Sequence, residues 1–330
     1  LGDVYKRQAP SLHLTSIAKL RGKAVKKRKP LLLLPSCRLF ISLWKDIMPY
    51  KCGFVAIIGR PNVGKSTLMN HLIRQKISIT SKRAQTTRQA IKGIYTDDTA
   101  QLIFIDTPGL LNSKFKELYS PVEEALQEAD SVLFVSEARQ FTPVDGQLLK
   151  LIPSEKKAIL VINKMDRDKY QASKEPSFIE PILSKKNFVS ISFVSAKHAL
   201  GLTALTDQIK TLLPEGPPLY PEDMLSDQPT RFLVAEILRE KIFRFVGEEI
   251  PYAVEVMINR FQEGEKLIEV DANFLVPKDS YKGILISTRG RRLKKIASEA
   301  RLDIERLLGK KVMLKTWVKV RQHIHQPKGF

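Results

Sequence analysis

The feature that most constrains this chain is a short apolar run, Phe54 to Ile58, followed at once by Gly59, Arg60, Pro61, Asn62, Val63, Gly64, Lys65 and Ser66. These eight residues fit the pattern GxxxxGK(S/T); Thr67 comes next, and Ser66 to Ile73 reads as a helix. Strand, glycine-rich loop and helix in that order build a phosphate cradle. The glycines let successive backbone N–H groups point at phosphate oxygens, and the helix start adds positive potential. Lys65 can reach the β and γ phosphates, and Ser66 can ligate Mg²⁺.

Further apolar runs follow at Leu102–Ile105, Ser131–Val135, Ala158–Ile162 and Ser190–Val194, with helical patterns between them such as Pro121–Ala129 and Thr203–Leu213. Strands alternating with helices imply an α/β fold with a doubly wound, mostly parallel sheet. Polar motifs fall just after these strands, where such sheets bind ligands. Asp106, Thr107, Pro108 and Gly109 close the second run: the carboxylate can hold Mg²⁺, and the Gly109 amide can sense a γ phosphate. A hydroxyl from Thr86 or Thr87, in the polar stretch before it, can complete the metal shell when a triphosphate is bound. Asn163, Lys164 and Asp166 end the fourth run. An aspartate there can accept from both guanine N1–H and its 2-amino group, donors that adenine lacks. The aliphatic part of Lys164 can pack along the base. Ser195, Ala196 and Lys197 end the fifth run, where the Ala196 N–H can meet guanine O6. Together the motifs point to GTP rather than ATP, with GDP as the product.

The length of 330 residues suggests two domains, and 43% hydrophobic residues suffice for packed cores. A formal charge of +20 favours a polyanionic partner, either nucleic acid or an anionic membrane surface. Cys37 and Cys52 fit no metal or redox spacing and suit a reducing compartment. No apolar run reaches the roughly 18 residues of a membrane span. Residues 1–47 are basic and acid-poor, with Lys26, Lys27, Arg28 and Lys29 in a row. They are expected to be translated upstream sequence ahead of a start at Met48, the alternative being an organelle-targeting peptide or a polybasic arm.

The nucleotide domain is expected over 48–213. Four prolines and a glycine between Pro214 and Pro221 mark a linker over 214–225, and a second domain follows over 226–330. Gln228–Phe245 reads as an amphipathic helix, Tyr252–Ile258 and Lys266–Val270 as strands, Arg291–Leu308 as a basic helix and Val312–Val320 as a closing strand. Arg289, Arg291, Arg292, Lys294 and Lys295 crowd one loop and helix start. His323 and His325 read as tail residues.

The series GRPNVGKS, QTTR, DTPG, NKMD and SAK resembles the Era-like branch of translational GTPases, over about Met48 to Val320. Ile77–Ser81, Gly247–Tyr252 and Trp317–Val320 carry the likeness beyond the nucleotide motifs. The resemblance implies a P-loop GTPase domain followed by a smaller α+β domain of KH type. It implies that Leu110 stands where Ras-like proteins have a water-orienting glutamine, so turnover is slow. It also implies that Asn62 can help hold a K⁺ ion and that Thr87 is the metal ligand, which makes Lys65, Asn62, Thr87 and Gly109 the catalytic set. In the KH loop, Ser287, Thr288, Arg289 and Gly290 stand where the family has GxxG, so the first glycine is replaced by serine. The implied RNA is the 3′ end of small-subunit ribosomal RNA, and the implied task is assembly of the small ribosomal subunit by a cytoplasmic monomer. Two other readings fit the residues. One is a membrane-associated regulatory GTPase on the inner face of the cell membrane; the other is an RNA-binding module whose nucleotide is mainly structural.

Overall fold

A computed structural model describes residues 49–80, 90–108, 119–137, 141–167, 179–247 and 250–321. Thr86, Thr87, Gly109, Leu110, His323, His325 and the basic stretch 1–47 lie outside the described residues.

Strand β1 (Lys51–Ile58) is central to a six-stranded sheet of order β2-β3-β1-β4-β5-β6. It runs parallel to β3 (Ala100–Asp106), with Lys51 opposite Ala100 and Ile57 opposite Asp106. On its other side lie β4 (Ser131–Glu137), β5 (Lys157–Asn163) and β6 (Ser190–Phe193), all parallel. Only β2 (Ile91–Thr96), at the edge, is antiparallel. Alternate residues of a strand face opposite sides. Val55 and Ile57 therefore join Leu68, Phe104 and Leu133 in one core, while Ala56 and Ile58 join Ile105, Phe134 and Leu160 in another. Burial on both faces is why these strands read as unbroken apolar runs.

Helices α1 (Lys65–Ile73) and α5 (Leu202–Leu212) cover the first face, and α2 (Tyr119–Glu128) and α3 (Pro143–Leu151) the second. Helix α3 starts at a capping box: the Thr142 hydroxyl accepts from the Asp145 N–H, and Asp145 accepts from the Thr142 N–H at 2.9 Å. The short helix α4 (Glu180–Leu183) precedes β6.

The proline-rich stretch is not a loose tether. Lys51 and Glu215 form an antiparallel bridge. The fully buried Gln101 accepts from the N–H groups of Leu219 (2.8 Å) and Tyr220 (2.9 Å) and donates to the Tyr220 carbonyl (2.8 Å). Farther on, Ile94 N–H donates to Leu225 O, and the Ser226 hydroxyl donates to Lys92 O at 2.6 Å. The linker thus follows the sheet edge as far as Ser226.

The second domain runs α6 (Thr230–Phe245), α7 (Ile250–Ala253), β7 (Glu255–Glu263), β8 (Leu267–Val276), α8 (Asp279–Ile286), α9 (Arg291–Leu308) and β9 (Lys311–Val320). Strand β8 pairs antiparallel with β7 and parallel with β9. The strand expected over Tyr252–Ile258 begins later, because Ile250–Ala253 is helical. Helix α9 buries Ile296, Ala300 and Ile304, one residue per turn, against Val270, Phe274 and Leu285. Leu233 of α6 reaches the nucleotide-domain core, with Phe232 and Leu307 packed beside it.

Candidate nucleotide site and the second-domain loop

The loop from Gly59 to Gly64 joins β1 to α1. Gly64 caps α1 at φ 102°, and a Cβ there would lie 2.4 Å from Asn163 Nδ2. Gly59 has the same need for closeness: a Cβ would lie 2.3 Å from Val135 O. Both glycines are therefore required by the packing of the loop onto β4 and β5 as well as by access for phosphate. Pro61 and the exposed Asn62 form the loop's outer turn, Asn62 at φ 64°, while Val63 is fully buried.

Lys65 is 6% exposed and donates to the carbonyls of Gly59 (2.9 Å) and Arg60 (3.2 Å). Burial pulls its pKa down to about 8, against the pull of nearby Asp106. Asp106, at the end of β3, is fully buried, and burial raises its pKa despite Lys65, Ser66 and Ser78. Its Oδ2 accepts from the hydroxyls of Ser66 (2.7 Å) and Ser78 (2.8 Å). Its Oδ1 is buried with no hydrogen-bond partner among the described residues. A buried carboxylate oxygen left over beside a serine hydroxyl is the donor set of a hard divalent cation, so these residues fit Mg²⁺. Thr107 is buried and donates to Ile57 O at 2.8 Å, tying the motif to β1. Pro108 is buried, and Thr67 is half-buried in the first turn of α1.

At the base-recognition end, Asn163 Nδ2 donates to Val63 O (2.8 Å) and its Oδ1 accepts from the Ala196 N–H (2.9 Å). The Ala196 amide expected to meet guanine O6 thus has a partner inside the protein, and Asn163 acts as a brace between phosphate loop and base loop. Asp166 Oδ1 accepts from the Ser195 hydroxyl at 2.6 Å, a bond that holds its pKa below the usual carboxylate range. Lys164, at φ 65°, donates to Glu137 Oε2 at 2.8 Å. Glu137 also pairs with Arg167 (3.0 Å) and lies 3.9 Å from Arg60, whose Nε is 3.4 Å from the buried Asp145. Lys197 flanks the site in the 3₁₀ turn Ala196–His198. The structure therefore brings the described motif residues to one rim of the sheet, at the carboxyl ends of β1, β3, β5 and β6. Sequence reasoning missed Glu137, Asp145 and Ser78. Their site partners are distant in the chain; the local traces are the Thr142–Asp145 capping pattern and, for Ser78, its place in the Ile77–Ser81 stretch that carries the family likeness.

In the second domain the loop Ser287–Gly290 sits between α8 and α9, with Thr288–Gly290 as a 3₁₀ turn. Ser287 has φ 64° and ψ 176°, and Arg289 has φ 53°. Both are conformations that suit glycine. Thr288, Arg289, Arg291 and Lys294 are exposed. Arg292 Nη1 donates to Ile284 O, and Lys295 lies 4.7 Å over the Phe245 ring, so those two cations are engaged within the domain.

A family model described as 50S ribosome-binding GTPase matches residues 54–164, and a KH domain model matches 249–323. The chain is 52% identical to GTPase Era of Neisseria meningitidis serogroup A over 82% of its own length and 90% of the relative's.

The chain belongs to the GTPase Era family.

Chromobacterium violaceum Era is 48% identical over 83% of this chain and 93% of its own. Two solved Era structures match at 38% identity, each covering 82% of this chain and 94% of the other. One is an Aquifex aeolicus Era variant bound to GDP·AlF₄⁻ (TM-score 0.75); the other is Era in complex with MgGDPNP and nucleotides 1506–1542 of 16S ribosomal RNA (TM-score 0.76). As in the family, the fold is a P-loop GTPase domain with a mostly parallel sheet followed by a KH domain. The activity is hydrolysis of GTP to GDP and phosphate.

Proposed function

We propose that this GTPase is a switch that binds the 3′ end of small-subunit ribosomal RNA and assists assembly of the small ribosomal subunit. The observation that carries the reading is the joining of two sites in one chain. One is a phosphate loop with a buried, half-partnered Asp106; the other is a KH loop that exposes Arg289, Arg291 and Lys294. Its support is the solved relative that holds MgGDPNP and a 16S ribosomal RNA fragment together.

In this reading Ser66 and Asp106 hold Mg²⁺, with Thr87 as the further ligand implied by family resemblance. The ion offsets charge on the phosphates during transfer. Lys65 exchanges its loop carbonyls for phosphate oxygens and regains full charge. Asp166 accepts from the guanine edge, preoriented by Ser195. Leu110 cannot orient water by hydrogen bonding, so intrinsic turnover is slow; Asn62 would help hold a K⁺ ion, which would supply positive charge near the transferring group. The protein works as a cytoplasmic monomer.

Binding of the full chain to a fragment from the 3′ end of small-subunit ribosomal RNA, measured with a non-hydrolysable GTP analogue and with GDP at fixed salt, tests the reading. Tighter, sequence-dependent binding with the analogue is expected. Binding indifferent to both sequence and nucleotide overturns it. Hydrolysis at equal rates in K⁺ and Na⁺ removes the K⁺ role alone.

A further inference from the structure

The turn after α1 touches both the buried metal-site carboxylate and the second domain. Asn70 organises it: its Oδ1 accepts from the N–H groups of Ile77 (3.0 Å) and Ser78 (2.9 Å), and its Nδ2 donates to Ser78 O (2.8 Å). Held this way, Ser78 is 2% exposed and its hydroxyl donates to Asp106 Oδ2 at 2.8 Å. Two residues to either side, the chain faces the other way. Lys76 Nζ lies 2.7 Å from both Glu240 Oε1 of α6 and Asp303 Oδ2 of α9. Thr80 N–H donates to Glu240 Oε2 at 3.1 Å. Lys241 completes the group, 2.5 Å from Asp303 and 3.8 Å from Glu240.

Lys76 and Lys241, with Arg306 at 2.8 Å from the other oxygen of Asp303, set three cations against two carboxylates. The side chains of Glu240, Asp303 and Lys241 are 6%, 10% and 4% exposed, so the cluster is shielded from the screening that weakens surface pairs. The nucleotide chemistry uses none of these groups, yet the strip ends at Thr80, directly before the stretch that carries Thr86 and Thr87.

We propose that residues 76–80 are a coupling strip: Ser78 is a positioning residue for the Asp106 carboxylate, while Lys76 and Thr80 are gripped by Glu240 and Asp303, so that the state of the nucleotide site and the docking of the second domain bias each other. This inference rests on the GTPase reading of Asp106 and not on the identity of the RNA. A metal ion at Asp106 draws on the same carboxylate that holds Ser78, and any shift of Ser78 is passed through two residues to the ion cluster. Coupling of this kind is reciprocal: a change at Glu240 must alter nucleotide preference just as nucleotide alters docking.

The test uses the full chain without RNA, so a failed RNA reading leaves it intact. The quantity is the ratio of Kd values for a non-hydrolysable GTP analogue and for GDP, both with Mg²⁺. Ser78→Ala acts from the site side. A Lys76→Met/Glu240→Gln pair removes one charge of each sign from the cluster and so leaves its net charge unchanged. Each is expected to move the ratio by about fivefold or more, and the two together by less than the product of their separate effects, because they interrupt one path. Hydrogen exchange in α6 is expected to differ between the two nucleotide states in the parent and to lose that difference in Ser78→Ala. A ratio unchanged within twofold in both variants, in proteins with native circular dichroism, overturns the proposal, as do fully multiplicative effects.

Discussion

Burial pulls the Lys65 pKa down to about 8, so its ammonium form is expected to be about half populated near that pH. Phosphate oxygens restore that charge, so nucleotide binding at pH 8 is expected to take up about half a proton. The sign follows from a pKa that is low in the empty site and ordinary in the occupied one. Calorimetry of Mg²⁺-free GDP binding, in buffers of different ionisation heat, reads the uptake directly. Uptake should fade towards pH 6, where Lys65 is already charged, and no buffer dependence at pH 8 would contradict the assignment. The second-domain loop makes the opposite kind of residue-scale statement. Ser287 and Arg289 hold positive φ values that glycine adopts without strain. Ser287→Gly and Arg289→Gly are each expected to stabilise the protein by about 1 kcal/mol in urea unfolding. Arg289→Gly should also lower the slope of RNA affinity against salt by about one phosphate contact. A stabilised Arg289→Gly protein with an unchanged salt slope would mean that the guanidinium does not meet phosphate.

At the scale of elements, Gln101 is the side chain on which the linker depends. It sits on β3 with no exposure and satisfies two linker N–H groups and one linker carbonyl. Gln101→Leu leaves those partly buried groups without their side-chain partner. The expected cost is about 2–4 kcal/mol, measured by urea unfolding, since each unpaired buried group costs roughly 1–3 kcal/mol. Linker attachment of this kind was not legible in the sequence: Pro214–Pro221 shows the composition of a tether, and the partner that fixes it lies more than a hundred residues earlier. The elements that were legible carry local signals. Continuous apolar runs marked β1, β3, β4 and β5, and the basic stretch Arg291–Leu308 marked α9, whose buried face is Ile296, Ala300 and Ile304. Strand β2 escaped notice because Gly93 interrupts its pattern. That glycine is needed where a Cβ would lie 2.1 Å from Ile73 Cδ1. Helix α3 had a readable start in Thr142-Pro-Val-Asp145, although its capping box went unread. At the nucleotide site the phosphate-loop and base-recognition motifs were legible, because phosphate and guanine chemistry fixes residue types at short spacing. Glu137, which gathers Arg60, Lys164 and Arg167, was not, because nothing local distinguishes it from any acid at a strand end.

Over the whole molecule, the two domains meet through apolar packing at Leu233 and the ion cluster around Asp303. Burial pushes the Asp303 pKa up, but hydrogen bonds from Lys241 and Lys76 more than offset this and hold it below the ordinary aspartate value. A depressed folded pKa adds stability above the unfolded value of about 4 and loses it as pH falls through the folded value. Acid below about pH 4 is therefore expected to weaken the junction. Asp303→Asn should be less stable than the parent at pH 7 and should lose less on acidification, as read by thermal unfolding across that range. Parallel acid curves would assign the acid sensitivity elsewhere.

The anchored linker also sets how the second domain can move. Ser226 is pinned to Lys92 O and α6 begins at Thr230, so only Asp227, Gln228 and Pro229 lie between. Proline's φ is fixed by its ring, and the Gln228 N–H donates to the Ser226 hydroxyl at 3.2 Å, so only a few torsions stay free. Such a joint is a swivel: it permits rotation and forbids wandering. Whatever the Arg289 loop grips would be confined to arcs about this joint. A few glycines inserted after Ser226 would turn those arcs into a diffuse cloud.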